Sequence, residues 1–405
     1  MERNNYTFID LFAGCGGLSE GFYMEGFKAL AHLEIDHWAC ETLKERMKYY
    51  GYKNPEKAVL EDDITKEEII LKLENAINSV GVDLIIGGPP CQAYSSLGRA
   101  KDKHGMKNDP RNYLFENYVK ILNHIKPKIF VFENVTGMLT AKVNGEKIVN
   151  QIVKQLSEHY DVRNDLNNCV LNSVNYGVPQ IRKRVIIIGV RKDLNVSADV
   201  VYKAIRKTHN DLESTDKSLK KPLTVKDAIG DLPFLLPGEG VRVLDRFKYK
   251  FNNEYLRTIG NDKLNVLYDH IARNHNEIDQ QRYEAMAKNK WTFTELLNNR
   301  EDLRHDKQRV FNNSYAVQLW DKPSKTIISH LYKDGNQFIH PDWKQHRTFT
   351  VREAARIQSF PDDFIFKGSR TQQYKQIGNA VPPLMAKAIA KGIKDILDKM
   401  ECANE

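Results

Sequence analysis

Five short apolar runs, each closing on glycine or beside an acid, constrain the fold of this chain more than any other feature. They read TFIDLFAG, FKALAHLEID, VDLIIGGPPC, KIFVFENV and KRVIIIGV. Each holds about five apolar, β-branched-rich residues, the size and texture of buried parallel strands. Between them lie the amphipathic stretches WACETLKERMKYY, KEEIILKLENAINSV and NYLFENYVKILNHI. Strands alternating with helices predict an α/β sheet covered on both faces. In such sheets ligands sit beyond the carboxyl ends of the strands, so the residues just after each run carry the most information.

The chain's 405 residues fit two or three domains at about 150 residues each. From about residue 195 to 345 the apolar runs shorten, Asn, Lys, Asp and His become frequent, and DLPFLLPGEG breaks the chain at 231–240. This stretch reads as a separate, less regular domain. After it, TQQYKQIGNAVPPLMAKAIAKGIKDIL reads as a turn followed by a long amphipathic helix, with Pro382 and Pro383 in its first turn. MERNNYTFIDLF lacks the pattern of a signal peptide, and no apolar run is long enough to span a bilayer. Lys plus Arg is 61 and Asp plus Glu 53, so the net charge is 61 − 53 = +8, which permits a polyanionic partner without requiring one. The cysteines at 15, 40, 91, 169 and 402 form no CxxC pair, so reduced thiols are expected, with neither a disulfide framework nor a metal site.

Phe12-Ala13-Gly14-Cys15-Gly16-Gly17 follows the first run and precedes a helical stretch. Its glycines permit φ > 0 and close backbone approach, so amides at a helix start can face an anionic group; a plain tight turn is the alternative. Glu34 ends the second run, where an acid can hold ribose hydroxyls or simply be solvated. Asp63, in LEDDIT, ends a third short strand and either accepts a bond from an adenine amino group or caps a helix beginning near Thr65. Gly87-Gly88-Pro89-Pro90-Cys91-Gln92 places a thiol at a strand's carboxyl end, which favours a nucleophile over a buried structural cysteine. Glu133, in FENV, follows an all-apolar strand. Partial desolvation there raises a carboxyl pKa and lets it hold a proton, while capping or pairing is the plainer role. By the strand-end rule Cys91 and Glu133 face one crevice. Gln180-Ile181-Arg182-Lys183-Arg184 precedes the last run, and strand alternation puts Arg182 and Arg184 on one face, for a base carbonyl, a phosphate or a structural ion pair. GRAKDKHGMKNDPR, residues 98–111, carries Arg99, Lys101, Lys103, Lys107 and Arg111 against Asp102 and Asp109, a local 5 − 2 = +3. A basic loop closing on a phosphate backbone fits this, as does a solvated surface loop.

FIDLFAGCGG, GGPPCQ, FENV, QIRKR, VREAARIQSFPDDF and QIGNAVPP occur together in the order found in the DNA (cytosine-5)-methyltransferases, which the chain resembles over essentially its whole length. The resemblance implies a Rossmann-like S-adenosylmethionine-dependent methyltransferase fold with a second, smaller target-recognition domain. Residues 1–194 plus 346–405 would be catalytic and cofactor-binding, and 195–345 would read DNA. It implies S-adenosyl-L-methionine as cofactor and cytosine in double-stranded DNA as substrate. Cys91 becomes the nucleophile on ring carbon 6, Glu133 the partner of ring nitrogen 3, Arg184 the contact to the base carbonyl, and Arg182 its support. Phe12, Gly14, Gly16, Glu34, Asp63, Leu114, Asn379 and Val381 become cofactor residues, the last two bringing the C-terminal helix back to the first domain. Gln92, Ser95, Arg99, Lys101 and Arg111 become DNA contacts around a flipped-out base. Arg352, Glu353 and Arg356 resemble a structural motif. Ile35 stands where family members often carry a larger aromatic, and Tyr94 replaces the usual Phe of PPCQxFS.

Other readings fit less of the chain. A zinc deaminase needs HxE and PCxxC; His32-Leu33-Glu34 and Pro90-Cys91 match in part, but Tyr94 occupies the second cysteine's place. A nicotinamide oxidoreductase explains the glycine loop and leaves Cys91, Glu133 and Arg184 idle. A transfer-RNA methyltransferase of the same family carries a smaller insert than the one here, and a non-catalytic DNA-binding relative would not need both Cys91 and Glu133. The expected setting is a bacterial cytoplasm: a monomer without membrane attachment, with no room for an N-terminal regulatory domain, paired with a cognate restriction endonuclease on the same site; a solitary or phage-borne enzyme would read the same. The segments 270–283 and 312–337 are candidate reading regions.

Overall fold

The structure is a computed structural model that describes residues 6–90, 114–143, 145–250, 252–260, 264–304 and 315–402. The chain forms two compact units. The first comprises residues 1–172, 183–207 and 383–405, and the second 173–182 and 208–382.

The first unit is built on one sheet. Its strands are β1 (Thr7–Leu11), β2 (Lys28–Glu34), β3 (Val59–Glu61), β4 (Leu84–Gly87), β5 (Ile129–Val135), β8 (Tyr160–Val162), β9 (Val170–Asn172) and β10 (Lys183–Arg191), with β6 (Lys142–Val143) and β7 (Glu146–Lys147) pairing separately. The order is β3-β2-β1-β4-β5-β10-β8, and β9 pairs with β10. β3 to β5 run parallel, and the order reverses between β1 and β4, the place where α/β sheets open a ligand crevice. KRVIIIGV forms β10, as expected, but β10 runs antiparallel to β5 and not parallel to it. Continuous apolar runs report burial on both faces and carry no information on direction, which explains the difference.

The helices longer than one turn are α1 (Gly17–Met24), α2 (His37–Tyr49), α3 (Ile69–Ile77), α4 (Leu114–Ile125), α5 (Ile148–Leu156) and α6 (Ala198–Ala204). Asp36 caps α2 by accepting from the Ala39 amide at 2.9 Å. The last helix of the chain, Pro383–Cys402, also belongs to this unit: Tyr6 donates to Asp398 at 3.0 Å, and Lys394 donates to the Glu25 carbonyl at 2.7 Å. Pro383 opens this helix, where its missing N–H costs nothing. No described helix is long and apolar enough to cross a membrane.

In the second unit β11 (Gly240–Asp245) pairs antiparallel with β12 (Val266–Ile271). Its helices are α7 (Val225–Ile229), α8 (Glu254–Ile259), α9 (Glu277–Asn289), α10 (Phe293–Asn299), α11 (Val351–Ile357) and α12 (Arg370–Asn379), which makes the C-terminal helix α13. Where the sequence suggested a turn before GNAVPP, α12 is a full helix; Ser369 caps it, and the polar run TQQYKQ offered little apolar periodicity to read. Thr224, Thr292 and Thr350 each close a capping box with an acid three residues on. One apolar core gathers Tyr283, Met286, Phe293, Leu296 and Ile339. Around α11 the interior is ionic. Arg347 pairs with both Glu353 oxygens at 2.8 Å, Arg356 with both Asp362 oxygens at 2.9 and 2.8 Å, and Arg352 donates to the carbonyls of Tyr268, Pro361 and Phe364.

Candidate active site

The strand ends of the first unit carry two groups of polar residues. The first lies after β1 and β2. Phe12 has φ 60, a left-handed conformation that a bulky residue adopts only where its surroundings demand it. Its side chain is half-buried. Gly14 and Gly16 also have positive φ, 54 and 88, so the turn is left-handed at three of five residues. A Cβ on Gly16 would lie 2.7 Å from Leu43 Cδ2, whereas one on Gly14 would meet nothing within 4 Å, so the chain is open above Gly14. Glu34 ties this turn to β2. Its Oε2 accepts from the Gly14 amide at 2.7 Å, and its Oε1 accepts from the Ile35 and Asp36 amides at 2.9 Å. Burial raises the Glu34 carboxyl above its ordinary range, and the three amides oppose that rise. A carboxylate offers about four acceptor positions, so three amides leave it able to take a further donor. Open space above Gly14 and a spare acceptor on Glu34 suit a ligand carrying hydroxyl donors, such as a ribose.

The cap alternative for Asp63 is not realised. Its Oδ1 accepts from the Thr65 amide at 2.9 Å and the Thr65 hydroxyl at 2.8 Å, closing a tight turn, while α3 begins only at Ile69. Leu114 is the first residue of α4 and is half-buried. Ile35 is exposed.

The second group lies at the end of β5 and the start of β10, beside the segment that follows β4. Arg184 Nε stands 2.9 Å from Glu133 Oε1, and both side chains are largely buried. Burial lowers the Arg184 pKa, and the Glu133 charge works against that. The register explains the meeting: Ile186 pairs with Glu133 across β10 and β5, and Arg184 sits two residues before Ile186 on the same face. The pairing alternative for Glu133 therefore describes this structure. A Cβ on Gly88 would come within 2.6 Å of Glu133 Oε2, so glycine there leaves room for the carboxylate. Asn134, which no sequence argument singled out, donates to the Pro89 carbonyl at 3.3 Å and accepts from the Val135 amide at 2.8 Å. It fastens the Pro89–Pro90 segment to the end of β5.

Cys91, Gln92, Ser95, Arg99, Lys101 and Arg111 lie outside the described residues. Arg182 precedes β10 and belongs to the second unit, so strand alternation does not extend to it. Its guanidinium donates to the carbonyls of Ile327 at 2.7 Å and Gly378 at 3.1 Å. Asn379 ends α12 and is exposed, and Val381 is buried; both are also in the second unit. Gln358 holds the turn that ends α12 by donating to the carbonyls of Ile377 at 3.0 Å and Ala380 at 2.8 Å. Among the described residues His37, Glu41 and Glu61 could offer three metal-ligand atoms, but Glu61 pairs with His37 and Glu41 with Lys44.

A switch-point sheet with a glycine turn after β1 and an amide-bound acid ending β2 defines a Rossmann-like, nucleotide-binding class of α/β fold. The sequence profile described as C-5 cytosine-specific DNA methylase matches residues 6–395. The chain belongs to that family. It is 36% identical to the type II methyltransferase M.Bpa9945I of Bacillus paralicheniformis, over 96% of this chain and 99% of that one. It is 34% identical to the type II methyltransferase M.DdeI of Desulfomicrobium norvegicum, over 98% and 90%. Among solved structures it is similar to one described as a DNA modification methyltransferase encoded within an Escherichia coli prophage, with TM-score 0.69 and 26% identity, over 97% of this chain and 100% of that one.

Proposed function

We propose that this protein methylates carbon 5 of a flipped-out cytosine within a specific double-stranded DNA sequence, using S-adenosylmethionine, and protects that sequence in a bacterial restriction–modification system. The observation that carries the reading is the buried Glu133–Arg184 pair at the strand ends, joined through Asn134 to the Pro89–Pro90 segment that immediately precedes Cys91.

In this mechanism the Cys91 thiolate adds to carbon 6 of the ring. Glu133 holds a proton at ring nitrogen 3, which makes carbon 6 electrophilic. Arg184 donates to the base carbonyl while keeping the Glu133 carboxylate in place, and Arg182 is assigned to this chemistry on family resemblance alone. S-adenosylmethionine, when bound, supplies the electrophilic methyl that carbon 5 accepts. Loss of the carbon 5 proton then expels Cys91 and restores the aromatic ring. Phe12, Gly14, Gly16, Glu34, Asp63 and Leu114 would hold the cofactor; Asn379 and Val381 are assigned to it on family resemblance. Gln92, Ser95, Arg99, Lys101 and Arg111 would contact DNA, and the domain around 195–345 would read its sequence. A monomer in the bacterial cytoplasm with a cognate endonuclease completes the proposal.

The test is bisulfite sequencing of DNA from cells expressing the wild type and Cys91→Ala, with DNA carrying 5-fluorocytosine used to trap the adduct in vitro. Methylation at one short sequence by the wild type only, and a covalent complex with the trap, are expected. Methylation by Cys91→Ala would sink the covalent mechanism. Methylation of transfer RNA instead of DNA would overturn the substrate.

A further inference from the structure

Beneath the cofactor turn lies a buried polar cluster that the mechanism does not use. Asp10, on β1, is two residues before Phe12. Ser19 and Tyr23 are on α1, which leaves the turn at Gly17. His32, on β2, is two residues before Glu34 and pairs in register with Asp10. Asp10, Ser19 and His32 are almost wholly buried. The Ser19 hydroxyl donates to Asp10 Oδ2 and lies 3.4 Å from His32 Nδ1; the Tyr23 hydroxyl meets His32 Nε2 at 2.8 Å. A serine, a histidine and an aspartate in contact invite comparison with a hydrolytic triad, but burial leaves Ser19 no access to a substrate.

We propose that Asp10, Ser19, His32 and Tyr23 are positioning residues that set the geometry of the cofactor turn, and that the cluster does so in its uncharged form. This rests on the cofactor assignment above. The cluster joins the three segments that carry the proposed cofactor groups: the end of β1, the start of α1 and the end of β2. The Asp10 and His32 side chains approach only to 4.0 Å, and burial works against charge on each. It raises the Asp10 carboxyl to about 8, with the Ser19 bond opposing and Glu34 adding to the rise, and it lowers His32 to about 3. Of the groups that face Asp10, Ser19 and Tyr23 come from α1, His32 and Glu34 from β2, and Tyr118 from α4; β4 offers the apolar Ile86. None is a cation at neutral pH, so an ionised Asp10 would lack a counter-charge and would strain the turn.

The test is S-adenosylmethionine binding measured by calorimetry for the wild type, Ser19→Ala, His32→Gln and Asp10→Asn, with amide exchange of residues 12–16 in the cofactor-free protein. At neutral pH, Ser19→Ala and His32→Gln are expected to weaken binding about fivefold or more, the scale of one lost buried hydrogen bond, and to speed exchange at Gly14, with DNA affinity unchanged. Raising the pH from about 7 to about 9.5 is expected to weaken wild-type binding about tenfold and to leave Asp10→Asn, which cannot ionise, nearly flat. Wild-type affinity in Ser19→Ala and His32→Gln, or equal pH slopes for wild type and Asp10→Asn, would overturn the proposal. A wild type that binds no S-adenosylmethionine would instead overturn the cofactor assignment.

Discussion

The two units bury different chemistry. The sheet of the first is lined by Phe8, Ile9, Leu84, Ile85, Ile86, Phe130 and Val131, apolar side chains with almost no exposure. The α11 region of the second buries Arg347, Arg352 and Arg356 just as deeply, and meets them with Glu353, Asp362, Asp231 and main-chain carbonyls. Apolar strands stabilise a regular sheet without specific partners, so the first unit tolerates volume-conserving changes. An irregular segment leaves carbonyls without ladder partners, and a guanidinium with five donors can satisfy several at once. Such a network is stable only when complete. The sheet unit should therefore weaken gradually under substitution, and the arginine unit abruptly.

The largest expected effect is on the second unit. Arg347→Met leaves Glu353 buried with His340 at 3.5 Å as its nearest ionisable neighbour, and burial keeps His340 uncharged. The loss should be about 3–5 kcal/mol, the scale of a broken buried pair. Differential scanning calorimetry should show a lowered transition, with DNA binding lost. A loss below about 1 kcal/mol would show that the network is not what holds this unit.

Glu133→Gln in the first unit should lower kcat by about a hundredfold or more, with melting temperature nearly unchanged. Single-turnover methylation with saturating cofactor measures this, and a large fall in stability instead would make the Glu133–Arg184 pair structural. Glu34→Ala is expected to be milder still, weakening S-adenosylmethionine binding by about 1.5–3 kcal/mol, the scale of a hydrogen bond to a charged group, with DNA affinity unchanged.

This contrast also explains what the sequence made legible. TFIDLF and KIFVFENV announced β1 and β5 because continuous apolar runs have few alternatives to a buried strand. The strand-end rule then brought out Glu34 and Glu133, and strand alternation brought out Arg184. The same rule passed over Asp10 and His32, each set inside an apolar run, although a charge-bearing residue in such a place is itself a signal. Arg182 looked like a strand residue with Arg184, yet its bonds to Ile327 and Gly378 join segments far apart in sequence, which no local pattern encodes. In the second unit Arg352 and Arg356 look like surface charges in any window that does not contain their carbonyl and carboxylate partners.

The smallest effect tests whether Asp10, set among the apolar strands of the first unit, is held as a neutral acid. Asp10 has an ordinary pKa near 3.8 and stands near 8 in the fold, so between these values the folded chain holds a proton that the unfolded chain has released. The stability contributed by Asp10 is full below about pH 4 and falls as pH rises toward 8. His32 works in the opposite direction: it is uncharged in the fold down to about pH 3, so protonation of the unfolded chain lowers stability as pH drops below its ordinary 6.5. The two slopes offset one another below pH 6.5, and only the Asp10 slope remains above it. Asp10→Asn removes that slope. Its advantage over the wild type should therefore widen by about 1.4 kcal/mol at most across one pH unit, the step from 6.5 to 7.5, and level off above pH 8. Urea denaturation at these pH values measures it. A constant difference across that step would mean that Asp10 is already ionised beneath the glycine turn.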